Sequence, residues 1–316
     1  MKSSKTKITM LLTVLFMCVM LVPAVKAEAY GIRQITAGAN DAAVVWDADT
    51  DSDLQGWVVY LNGQQIATLN PNETSFQFAG LTQGYPYAAQ VYSVYKRSYS
   101  ETPVYLKKGE TVLKTKPSKI EKTDIIWDRY NYIKLLAQDP NLYTDTTGVS
   151  LYADGFEIVI KDKKGKTKQT FDTYNSSYYG GAYEYFKAPS ALVNKGMQYS
   201  IRAYITLDNG EKVYGDAVTK VAVPQAYIDK IQKVSGNKCK ITWKKISGAS
   251  GYTIYRTSNE GKTLKKIKTV GKNTTSYTVK RSYMDTNKKG IVVIANKVKI
   301  GKKKYNSTKS YYTYIY

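Results

Sequence analysis

Three segments of the chain carry one pattern. They are Gly56-Trp57-Val58-Val59-Tyr60-Leu61 before Asn62-Gly63, Gly155-Phe156-Glu157-Ile158-Val159-Ile160 before Lys161 to Gly165, and Gly251-Tyr252-Thr253-Ile254-Tyr255 before Asn259-Glu260-Gly261. In each, a glycine and an aromatic are followed by any residue, then Val or Ile, then a turn. The starts lie 99 and 96 residues apart, so the chain repeats itself at the period of a whole small domain. Alternation puts Trp57, Val59 and Leu61 on one face, as it does Phe156, Ile158 and Ile160, and Tyr252 and Ile254. A period of two is that of a half-buried strand, not a helix.

A second pattern follows downstream. Leu81, Gly84, Tyr87, Ala89 and Val91 are matched, with one residue inserted, by Leu192, Gly196, Tyr199, Ile201 and Ala203. Upstream of the glycines, Val44 and Trp46, and Cys239, Ile241 and Trp243, alternate inward with polar or smaller neighbours. Short strands at regular spacing, Gly and Asn turns and no helical stripe predict antiparallel β-sandwiches.

The order Trp, Gly-aromatic-x-Val, then Leu-x-x-Gly-x-x-Tyr-x-Val resembles the fibronectin type III domain. That resemblance implies an all-β chain of three tandem sandwiches, at residues 30–116, 117–224 and 225–316; residues 1–27, before them, are read separately as a leader. It implies Trp on the second strand, Gly-aromatic opening the third and Tyr on the sixth. The second unit departs with Ala137 in the Trp place and an insertion near residues 138–153; the third has Val293 in the Tyr place. Related Ig-like sandwiches stay open for both, as does their strand count. The lysine-rich style of the third unit is similar to repeats in surface proteins of Gram-positive, clostridia-like bacteria. Brief connections around Pro117 and Pro224, without a Gly/Ser tract, point to an extended rod.

The N-terminus reads as an export signal: Lys2, Lys5 and Lys7 precede the uncharged run Met10 to Val22, and Ala27 closes a small-residue cleavage site. The alternative is a membrane anchor, but Pro23 and the small residues after it favour cleavage, leaving no transmembrane span in the mature chain. Cys239 is then the lone thiol, so no internal disulfide forms. Histidine is absent, which removes the commonest general base and zinc ligand. No cofactor is expected. Carboxylates occur without a deep cleft to face across, so the chain reads as a non-enzyme and a monomer.

The net charge of +22 is not shared evenly. Residues 29–116 hold 7 Lys/Arg and 8 Asp/Glu, residues 117–224 hold 14 and 13, and residues 225–316 hold 22 and 3. Lys262, Lys265, Lys266 and Lys268 follow the third glycine motif, and Lys297, Lys299, Lys302, Lys303 and Lys304 form the NKVKIGKKKY run. In a type III sandwich the two runs belong to one sheet, which would make one electropositive face. Lysine also solubilises surfaces and protects sheet edges. Against two nearly neutral neighbours, however, self-repulsion makes so uneven a count costly without a use. The expected partner is an anionic cell-wall polymer or glycan, with another surface protein as a further candidate. Arg256 and Arg281 are the only arginines there, too few for sequence-specific nucleic-acid reading.

Two other clusters are candidates. Asp47, Asp49, Asp51 and Asp53 alternate like half a calcium loop, but Ser52 stands in the turn-Gly place and Val58 where a closing Glu belongs. No metal site is assigned. Tyr174, Tyr178, Tyr179, Tyr183 and Tyr185 crowd around Gly180 and Gly181. Exposed aromatics stack on sugar rings, which makes a carbohydrate-binding accessory protein the alternative function, although Tyr is also an ordinary strand residue.

Overall fold

The structure, a computed structural model, describes residues 31–120, 122–127, 132–138, 153–174, 181–187, 189–258, 262–284 and 289–309. The export-signal expectation falls outside them. No helix of the described residues is long and apolar enough to cross a membrane.

The alternating segments are antiparallel strands, built three times on one plan. The first unit contains β1 (Arg33–Ala37), β2 (Asp41–Val45), β3 (Leu54–Leu61), β4 (Gln64–Leu69), β5 (Ser75–Ala79), β6 (Pro86–Tyr95) and β7 (Val104–Lys114). They form sheets in the orders β1-β2-β5 and β4-β3-β6-β7. The second contains β8 (Lys122–Trp127), β9 (Tyr132–Gln138), β10 (Gly155–Asp162), β11 (Thr167–Tyr174), β12 (Gly181–Lys187), β13 (Met197–Thr206), β14 (Lys212–Tyr214) and β15 (Val218–Ala222). Its sheets are β8-β9-β12 and β11-β10-β13, with β14 and β15 both on the free side of β13.

The third unit contains β16 (Ile228–Val234), β17 (Lys238–Trp243), β18 (Gly251–Ser258), β19 (Thr263–Gly271), β20 (Ser276–Lys280), β21 (Gly290–Asn296), β22 (Val298–Ile300) and β23 (Lys303–Tyr305). Here the orders are β16-β17-β20, β19-β18-β21 and a separate β22-β23 pair. In every unit the first, second and fifth strands make one sheet, and the fourth, third and sixth the other.

Each unit has its own core. In the first, Val44 and Phe78 of one sheet meet Trp57, Val59, Ala89 and Val91 of the other. In the third, Cys239, Ile241 and Val279 meet Tyr252, Ile254, Val293 and Ala295. Cys239 is fully buried there and fills space as a small apolar side chain. The middle core gathers Phe156, Ile158, Ile160, Tyr199, Ile201 and Ala203. Trp46 lies edge-on to Trp57 at 5.7 Å, and Trp243 edge-on to Tyr252 at 5.5 Å. The second-strand Trp and the motif aromatic are thus one packed pair, used twice.

The motif glycine has a steric cause. A β-carbon added at Gly56 would sit 2.2 Å from the Leu69 carbonyl oxygen, at Gly155 2.5 Å from that of Thr173, and at Gly251 2.4 Å from that of Val270. Leu69, Thr173 and Val270 are the residues paired with Trp57, Phe156 and Tyr252. In all three units the fourth strand's backbone occupies the space where a side chain would stand. Only glycine admits that approach.

Successive units meet through like parts. The hairpin after the sixth strand of the later unit reaches back to the earlier one. Between the first and second units, Gln34 N–H donates to Asp208 Oδ2 at 2.5 Å, and Asp208 N–H to the Gln34 carbonyl at 3.3 Å. Lys114 pairs with Asp154 at 2.7 Å and Lys116 with Asp216 at 3.0 Å. Between the second and third, Gly301 N–H donates to the Lys163 carbonyl at 2.7 Å, and Ser247 N–H to the Asn194 carbonyl at 2.9 Å. Ile300 packs where a β-carbon on Gly196 would stand.

Candidate polyanion-binding surface

All nine candidate lysines are exposed. Lys262 is in the turn before β19, and Lys265, Lys266 and Lys268 are on β19, whose only ladder among the described residues is with β18. An edge strand presents unpaired backbone and long side chains to solvent, and lysine is a common residue there. The other five occupy the hairpin. Lys297 has φ of +50° and breaks the chain out of β21, its N–H donating to Asn306 Oδ1 at 3.0 Å. Val298 and Ile300 then turn into the core, which leaves Lys299 outward, opposite Lys304. Lys302 and Lys303 crown the turn beside Gly301.

This arrangement corrects one expectation. The two lysine runs do not share a sheet: β19 is the edge of β19-β18-β21, while among the described residues β22 and β23 pair only with each other. The cause is the left-handed Lys297, which ends β21 before the hairpin begins. The chain returns to β21 at Ser307, whose N–H donates to the Ala295 carbonyl and whose Oγ accepts from the Ala295 N–H, both at 2.9 Å.

The hairpin points instead at the second unit, and there it meets lysines that the sequence reading passed over. Its Gly301 is bonded to Lys163, in the β10–β11 turn, where the run KDKKGKTK supplies Lys161, Lys163, Lys164, Lys166 and Lys168. Asp162 within that run is occupied: Lys168 lies 3.5 Å away, and the Lys164 and Lys166 N–H groups donate to it at 2.8 and 3.1 Å. The signal was present as a local charge run. Counting over the whole unit averaged it away.

Salt bridges sharpen the contrast between units. The nine among the described residues all join residues between Arg33 and Asp216. None of the nine candidate lysines is in an ion pair among the described residues.

The aspartate loop is held by protein groups. Arg97 bonds Asp51 at 2.7 Å and Asp53 at 3.1 Å, Arg33 bonds Asp47 at 2.9 Å, and the Tyr95 hydroxyl donates to Asp49 at 2.6 Å. The Tyr95 bond, then the Asp51 N–H, hold the Asp49 carboxyl below its ordinary range, and Arg97 does the same for Asp51. Among the described residues no group of three or more acidic, Cys or His side chains is arranged to hold a metal. A carboxyl with a lowered folded-state pKa stabilises the fold above its unfolded value and loses that contribution as pH falls. Acid should therefore weaken the first unit below about pH 4. Asp49→Asn should flatten that unit's melting temperature against pH between about pH 4 and pH 2, and an unchanged slope would refute the assignment.

The tyrosine run is divided. Tyr174 ends β11, and Tyr183 and Tyr185 lie in β12 of the opposite sheet, opposite Leu136 and Lys134. Tyr178 and Tyr179 lie outside the described residues.

No family model matches the chain, and no curated protein matches it. Among solved structures, the chicken CNTN1 FN1-FN3 domains align over 89% of this chain and 95% of theirs at 13% identity, with a TM-score of 0.29. The central fibronectin-III array of RIM-binding protein aligns over the same shares at 10% identity and 0.24. The spore cortex lytic enzyme SleM of Clostridium perfringens is similar over 27% of each chain at 22% identity and 0.21. Strand order decides the fold. The chain is a tandem array of fibronectin type III-like sandwiches. These likenesses carry nothing about activity.

Proposed function

We propose that this is an exported, non-enzymatic surface protein whose third sandwich holds an anionic polymer of the cell wall or an acidic glycan. The first two units then act as spacers or protein-binding modules. One observation carries the reading: 22 basic residues stand against 3 acidic ones in residues 225–316, and the nine candidate lysines are exposed without ion-pair partners among the described residues. Lysine ammoniums on flexible stems suit charge density better than they suit one fixed shape. Binding of this kind releases counterions and is screened by salt. The test is retention of the chain from residue 29 onward on isolated anionic wall polymer. Apparent affinity should fall about tenfold or more between low and physiological salt. Retention indifferent to salt would overturn the reading and favour sugar stacking by the tyrosines of the second unit.

A further inference from the structure

Where the second and third sandwiches abut, their surfaces leave an open cleft of about 530 Å³. Gln198 of β13 and Thr219, Lys220 and Val221 of β15 form one wall. Ile300, Gly301, Lys302, Lys303 and Tyr305 of the lysine hairpin form the other. The size falls within that of small-ligand sites, about 300–1,000 Å³. Three of the lining residues are lysines, and none is acidic.

The walls are held in place from both sides. Gly301 N–H is bonded to the Lys163 carbonyl, Ser247 N–H to the Asn194 carbonyl, and Ile300 lies against Gly196. Lys220 is steadied by donating to the Thr123 carbonyl at 3.1 Å, which uses one of its three donors. A site whose walls are already ordered loses less freedom on binding than one that must assemble.

We propose that this junction cleft is a composite site for one residue of an acidic saccharide. Lys220, Lys302 and Lys303 meet its phosphate, sulfate or carboxylate, and the Gln198 amide and Thr219 hydroxyl meet its ring hydroxyls. The proposal rests on the polyanion reading above and deepens it: neither sandwich alone makes the site. The lining favours a saccharide over a nucleic acid, since it offers one aromatic, Tyr305, and no arginine, whereas single-strand binding relies on rows of stacking rings. The lysine-rich β10–β11 turn, tied to the hairpin through Lys163, extends the attraction along a polymer beyond the residue seated in the cleft.

The test uses the chain from residue 29 onward, which contains all three cores. Calorimetric titration at fixed low salt would employ two probes, a short phosphate-bearing oligosaccharide and a short sulfated, uronate-bearing oligosaccharide, so that the tighter one identifies the acid. The cleft variant Lys220→Gln/Lys302→Gln/Lys303→Gln and the edge variant Lys265→Gln/Lys266→Gln/Lys268→Gln change the charge equally. The cleft variant should lose about tenfold or more in affinity for the tighter probe, and the edge variant about threefold or less. Gln198→Ala, which changes no charge, should lose about threefold. Equal losses in the two triple variants, or a Gln198→Ala affinity equal to wild type, would overturn the cleft while leaving the polyanion reading standing. Failure of the unaltered chain to bind either probe or long wall polymer would defeat both. Melting temperatures are the control for the fold: the edge variant should match the parent, because its lysines are exposed, and Lys220→Gln gives up its bond to the Thr123 carbonyl.

Discussion

Replacing Lys265, Lys266, Lys302, Lys303 and Lys304 together by glutamate should abolish retention on anionic polymer at physiological salt. The five reversals lower the charge of the third unit by about ten, enough to cancel half of its excess. All five side chains are exposed, and none takes part in the buried packing of Tyr252, Ile254, Val293 and Ala295, so the fold should survive. Circular dichroism and the melting curve are the control. Because Lys265 and Lys266 stand on β19 and the others on the hairpin, splitting the variant tests the two patches separately. Full retention of the fivefold variant, with its fold intact, would end electrostatic anchoring as an explanation.

The second large effect is on stability. Gly251→Ala should destabilise the third unit by about 3 kcal/mol, which for a domain of this size corresponds to roughly 12–24 °C in Tm. The new methyl group would stand 2.4 Å from the Val270 carbonyl oxygen. That oxygen belongs to a paired backbone, so β18 and β19 would have to separate. The control is adjacent: Gly271 pairs with Gly251 across the same ladder, and a β-carbon there meets nothing within 4 Å. Gly271→Ala should be neutral or slightly stabilising, since it removes freedom from the unfolded chain. Equal effects of the two substitutions, read as a shift of the third unit's transition, would refute the steric account of the motif. Gly155→Ala should destabilise the second unit in the same way, since its added carbon would meet the Thr173 carbonyl oxygen at 2.5 Å and the Tyr204 hydroxyl at 2.6 Å.

The division between sequence and tertiary structure runs along the range of the interactions concerned. Strand alternation, the thrice-repeated glycine and aromatic, the Trp that packs edge-on to it in the first and third units, and the burial of Cys239 were all legible in the sequence. Each is set by neighbours one to a few residues away, or by a ladder whose register a local period of two imposes. The excess of lysine in the last unit was legible for the same reason, since composition needs no coordinates.

What the lysines face was decided only by the fold. A single left-handed residue, Lys297, takes the hairpin out of the sheet that the sequence pattern assigned to it and turns it toward the second unit. The aspartate loop looked like a partial calcium site because its sequence shows the carboxylates and not Arg97, Arg33 and Tyr95, which the sheets carry up to it. The junction cleft had no signal at all. Gln198, Thr219 and Lys220 are ordinary strand residues, and they line a site only because Gly301 N–H finds the Lys163 carbonyl. Backbone hydrogen bonds between separate domains leave no periodic trace in either one's sequence, because any residue can supply the N–H or the C=O.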